Sequence, residues 1–131
     1  MRGGEAFSPV MPGLKIALLT PDAERFRGAL TLAAAQVALG EPATLFLQLD
    51  AVRLLSPPID APQDDAHVAA GLPNLAQLLD DSLSLGVSLI ACQSGLALAG
   101  IDLATLDPRI SAGGPLALLQ GLDADDRFVI A

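Results

Sequence analysis

One cysteine, one histidine, no tryptophan and no tyrosine stand among the 131 residues of this chain. A single thiol forms no internal disulfide and no multi-cysteine metal site. With one histidine beside it, a zinc centre would need carboxylates for its other ligands, and no tight acidic cluster offers them. No metal and no cofactor are therefore expected. Basic residues are also scarce, seven Lys and Arg against 15 acidic side chains for a net charge of −8. Arg25, Arg27, Arg53, Arg109 and Arg127 are scattered. Nucleic-acid binding needs a basic footprint, so neither nucleic acid nor an anionic membrane surface is expected as a partner.

Familiar catalytic signatures are missing too. No P-loop occurs, and no Gly-x-Gly-x-x-Gly follows a strand. Thioredoxin-like exchange needs a resolving cysteine, which the chain lacks. Cysteine phosphatases carry an arginine six residues after the nucleophile, where this sequence has Leu98. Rhodanese-type transfer needs a longer loop than Gln93-Ser94-Gly95. The stretch Met1–Val10 has no apolar core of the secretory type, which points to a reduced, cytoplasmic protein. Ser82 to Ile101 is uncharged over nearly a membrane-spanning length, but its serines and its glycines at 86, 95 and 100 punctuate it as helix end, strand and new helix.

What is present is aliphatic: 52% of residues are hydrophobic, dominated by Leu and Ala. Residues 1–13 read as a flexible lead, and 14–131 as one domain. Leu14–Leu19 suits a central parallel strand buried on both faces. Asp22–Leu39 carries Phe26, Leu30, Ala33 and Val37 at helical spacing, with Gly40 as its stop. Ala43–Leu49 reads as a second strand, and Asp50–Leu55 as a helical turn or an extension of it.

Ser56–Pro73, with its prolines, aspartates and His67, reads as an extended surface loop and, beyond a strand's carboxyl end, as a candidate lid. Asn74–Leu85 returns to helix, with Leu75, Leu78, Leu79 and Leu83 inward. Val87–Ala91 forms a third strand, Cys92–Gly95 a turn and Leu96–Gly100 a short helix. Ile101–Leu106 reads as a further helical segment, Arg109–Ser111 as a strand, Pro115–Gln120 as a helix and Arg127–Ile130 as a last strand. Alternating elements of this kind predict an α/β fold, a three-layer α/β/α sandwich around a mainly parallel sheet of about five strands.

Cys92 falls at a strand's carboxyl end, where open α/β sheets bind ligands. A helix start beside the sulfur would favour its thiolate. A free cysteine is equally at home as a small core hydrophobe. His67 could pair with the thiol or simply be solvated in its loop.

Gly86-Val-Ser-Leu-Ile-Ala-Cys92, followed by Leu96-Ala-Leu-Ala-Gly100-Ile101, resembles the cysteine segment of the DsrE/DsrF-like family of DsrE/TusD-type sulfur-relay proteins. Gly113-Gly114-Pro115-Leu116-Ala117, the acidic turn and Arg127–Ile130 resemble that family's closing helix and strand, and Leu14–Gly40 fits its opening. Leu98 and Ala99 depart from it, standing where relatives have basic residues.

The resemblance implies a three-layer sandwich in a homo-oligomer, trimer or hexamer. It also implies a sulfurtransferase-like role in which Cys92 accepts sulfane sulfur as a persulfide from a donor protein and passes it to an acceptor protein. Gln93, Ser94 and Gly95 would then supply backbone donors near the thiolate. A small-molecule binding or sensing module, and a structural oligomeric subunit without transfer chemistry, are the alternatives.

Overall fold

The computed structural model describes residues 12–131. Most of the expected lead, residues 1–11, lies outside them. The elements run β1 (Leu14–Leu18), α1 (Ala23–Ala38), β2 (Ala43–Leu47), a 3₁₀ segment (Leu49–Leu55), α2 (Asp64–Ala69) and α3 (Leu75–Leu85). They continue with β3 (Ser88–Cys92), α4 (Gln93–Ala99), a 3₁₀ turn (Leu103–Thr105), β4 (Ser111–Gly113), α5 (Pro115–Gln120) and β5 (Arg127–Ile130).

The two long helices are punctuated by their caps. The Asp22 carboxylate accepts the Arg25 N–H at 2.9 Å at the head of α1, and Asn74 accepts from Gln77 at 2.9 Å at the head of α3, each satisfying an orphan donor of a first turn. Gly86 closes α3 at φ +107°, a left-handed conformation that only glycine adopts freely.

The five strands form one all-parallel sheet in the order β4-β3-β2-β1-β5. The crossovers from β1 to β2 and from β2 to β3 step one way, and the crossover from β4 to β5 steps back. The right-handed rule for such connections places α1 and α3 on one face and α5 on the other. Side-chain alternation divides the strands accordingly. Ile16, Leu18, Leu45, Leu47, Leu89 and Ala91 face α1 and α3, and all are buried with Phe26, Leu30, Ala33, Leu75 and Leu79.

The α5 face is thinner. Ala17 and Phe46 are buried there, but Lys15, Thr44 and Ile90 are only half-buried and Phe128 and Ile130 are exposed. The expectation that β1 is buried on both faces therefore holds over Ile16–Leu18 and not at half-buried Leu14 and Lys15, since α5 has six residues and buries none of them.

Three local readings change. The stretch from Ser56 to Pro73 is not wholly extended, because Asp64–Ala69 forms α2; two aspartates at its start and alanines within it favour the turn. The expected turn at Cys92–Gly95 is absent: Cys92 is itself the extended N-cap, and helix begins at Gln93. β4 lies two residues later than expected, since the Asp107 carboxylate takes the Arg109 N–H and guanidinium, both at 2.9 Å, and holds that stretch as a turn. No helix among the described residues is long and apolar enough to cross a membrane.

Candidate functional site

Cys92 is the last residue of β3, in register with Gly113 of β4. It sits at the carboxyl edge of the sheet and passes directly into α4. The Cys92 side chain is 2% exposed and makes no capping bond to the α4 backbone. Gln93 and Ser94 are exposed, whereas Gly95 is buried.

The burial of Gly95 has a cause. The Leu49–Leu55 segment, which follows β2, packs against α4 along their shared end of the sheet. A Cβ at Gly95 would stand 2.8 Å from the Leu49 carbonyl carbon and closer still to its oxygen. Leu49 has φ +48°, the one non-glycine residue with positive φ among the described residues, a conformation costing about 1 kcal/mol or more. Backbone thus meets backbone three residues after Cys92, at a glycine expected as part of a turn and as a backbone donor, but not as a point of close contact. Leu49 gave no sequence signal.

The expected lid takes a different place. Its α2 is fastened to the first turns of α1. The buried Arg27 guanidinium donates to Asp64 at 2.7 Å, to Glu24 at 2.9 Å and to the Pro73 carbonyl at 3.2 Å. His67 Nε2 lies 3.1 Å from Glu24 Oε2, so the histidine is bonded to α1 and not to the cysteine.

The charges in this cluster support one another. The Arg27 hydrogen bond holds Asp64 below its ordinary value against the opposing effect of burial, with the Leu75 and Ala61 N–H groups adding to it. Arg27, then His67, lower Glu24. Burial pulls Arg27 down, but its two carboxylates outweigh that and leave it raised.

A second ion cluster ties α3 to the β4 approach. Arg109 reaches Asp80 at 2.8 Å and Asp107 at 2.7 Å. The Arg109 side chain, and then its N–H, hold the Asp107 carboxyl down to about 2.

Clefts open between the described elements. One of about 320 Å³ lies among Leu55, Ile59, Leu79 and Leu106 under the Pro57 bend. Another of about 250 Å³ lies between the sheet and α5, with Lys15, Thr44, Ile90 and Ala112 in its wall. One of about 220 Å³ lies beside Arg27 and His67, and one of about 310 Å³ beside Asp22 and Pro62. Cys92 lines none of these four. Among the described residues no three His, Cys, Asp or Glu side chains gather as metal ligands.

The arrangement of strands and crossovers has counterparts among solved structures. The ychN protein from E. coli superposes over 93% of this chain and 100% of its own, with a TM-score of 0.72 and 21% sequence identity. MTH1491 from Methanobacterium thermoautotrophicum, a protein of unknown function, superposes over 92% of this chain and 99% of its own, with a TM-score of 0.61 and 12% identity. The chain shares its fold with both. At these identities the likeness speaks for the architecture alone. No protein-family model matches the chain, and no curated protein matches it in sequence.

Proposed function

We propose that this protein is a sulfur carrier of the DsrE-like type, with Cys92 as its one working thiol in a reduced, cytoplasmic setting. The observation that carries the reading is the placement of the lone cysteine at the junction of β3 and α4, in a chain whose cysteine segment resembles that of sulfur-relay proteins. The Cys92 thiolate attacks the outer sulfur of a donor persulfide. A Cys92 S–S bond forms, the donor's S–S bond breaks, and the donor sulfur leaves as a thiolate. The acceptor's thiolate then repeats the exchange and restores the Cys92 thiolate.

The leading N–H groups of Gln93, Ser94 and Gly95 have no partner within α4 and would be the donors to a transferred sulfur, although the Cys92 thiol itself makes no bond to them here. Because Cys92 is buried, transfer requires a movement that uncovers the thiol.

Exposed Leu116, Leu119, Phe128 and Ile130 form apolar surface on the α5 side, supporting assembly with further copies of the chain. Donor and acceptor proteins would meet the edge bearing Gln93 and Ser94.

The 2% exposure of Cys92 and its place outside the four clefts favour a second reading, a structural subunit with a core cysteine. Intact-mass measurement after incubation of the native protein with a persulfide donor separates the two. The carrier gains the mass of one sulfur atom, and Cys92→Ser does not. Equal uptake by Cys92→Ser, or no uptake by a native protein whose thiol remains reduced, would overturn the carrier reading.

A further inference from the structure

We propose that the cleft between the sheet and α5 is a binding site for a small aliphatic carboxylate, with the Lys15 ammonium as counterion and the Thr44 hydroxyl as hydrogen-bond partner. The two side chains are neighbours in register on adjacent strands and face the same side of the sheet. On the opposite face, the flanking positions Ile16 and Leu45 are fully packed aliphatics. A lysine on an interior strand of such a sheet is out of keeping with packing alone, since an ammonium must keep water or a partner.

The cleft holds about 250 Å³, and its remaining wall is mostly apolar, with Ile90, Ala112, Ala117 and Leu118 around the two polar groups. Its space depends on glycine: a Cβ at Gly113 would stand 3.1 Å from Ile90 Cγ2 and encroach on the floor.

Charge selects the ligand class. No carboxylate lies within salt-bridge distance of Lys15 among the described residues. Asp126, whose carboxyl feels the Lys15 charge, is committed to the Gly13 N–H at 2.8 Å and the Asp123 N–H at 2.9 Å. One cation with one hydroxyl in an apolar cleft suits a monoanion with a hydrocarbon tail. Inorganic phosphate, which calls for several charged donors, is poorly served there. The site does not depend on the thiol, although Gly113, at its wall, is the register partner of Cys92.

The test is a methyl NMR titration of the full chain with butyrate, and with 1-butanol, butylamine and inorganic phosphate as comparators. Butyrate is expected to shift the Ile90, Ala112, Ala117 and Leu118 methyls saturably and to bind more tightly than the other three probes. Lys15→Met, which keeps the stem and loses the charge, should weaken butyrate binding about tenfold while leaving butanol unchanged. Lys15→Gln serves if the Met variant misfolds.

Thr44→Val should weaken butyrate by a few-fold. Cys92→Ser should bind it as the wild type does, so that failure of the sulfur-carrier reading leaves this one standing. Butyrate binding no tighter than butanol, unchanged butyrate binding on loss of the Lys15 charge, or tighter binding of phosphate would overturn the proposal.

Discussion

The two faces of the sheet are built from the same strands yet differ in almost every respect. Under α1 and α3 the inward residues are Ile16, Leu18, Leu45, Leu47 and Leu89, each at most 1% exposed. Under α5 the alternate residues include Lys15, Thr44 and Ser88, with exposed Phe128 and Ile130 at the edge. Helix length accounts for much of the contrast. α1 has 16 residues and α3 has 11, against six in α5, so only the first pair can lay several turns of apolar side chain along the strands. One face is closely packed, and the other retains a cleft and an exposed apolar rim.

The largest expected effect comes from removing volume on the packed face. Leu45→Ala should cost about 3 kcal/mol of unfolding free energy in urea denaturation. Leu116→Ala on α5, at a position 70% exposed, should stay within about 0.5 kcal/mol in the monomer. Comparable losses at both sites would mean that α5 is clamped more firmly than its exposure implies.

A smaller effect, of opposite sign, tests the quality of the packed face. The Ser82 hydroxyl is fully buried on α3 and has no hydrogen-bond partner among the described residues. An unsatisfied buried hydroxyl costs about 1 kcal/mol or more, so Ser82→Ala should raise the urea midpoint. A lower midpoint would show that the hydroxyl has a bonding partner in solution.

The smallest effect is electrostatic and belongs to the α3 side. Asp107 has an ordinary value of 3.8 and is held near 2 by Arg109. A carboxyl depressed by folding contributes stability that is complete above its unfolded value and is lost as pH falls through the folded one. The stability gap between wild type and Asp107→Asn should therefore be constant above about pH 5 and close between roughly pH 4 and pH 2. A gap that persisted at pH 2 would remove the ion pair from the account.

Much of the packed face was readable in the residues. Phe26, Leu30 and Ala33 recur at helical spacing between an aspartate cap and a glycine stop, and α1 follows that pattern closely. The apolar runs of β1 and β5 are strands over nearly the residues they suggest. The five-stranded parallel sheet follows from their alternation with helices.

The other face was less readable, because a run such as Leu14-Lys15-Ile16 does not tell how long a helix will cover it. α2 was obscured by the prolines and glycine around it, and its hold on α1 rests on Arg27 bonds that join residues far apart in sequence. At the candidate site, the strand-end position of Cys92 was legible. The Gly95–Leu49 contact was not, since no local pattern reports the backbone of one connection resting on another.

The strand order also bears on how the chain assembles. The bond between Gly13 and Asp126 closes a separation of 113 residues, and among the described residues β5 pairs with β1 alone. The β1–β4 layer can form from segments that follow one another along the chain. The outer edge of β1 stays open until residues 127–130 return to it. Distant parallel pairings of this kind form slowly, and an open strand edge invites pairing with other chains. During synthesis, therefore, the interval before β5 docks is when this protein is most exposed to misassembly.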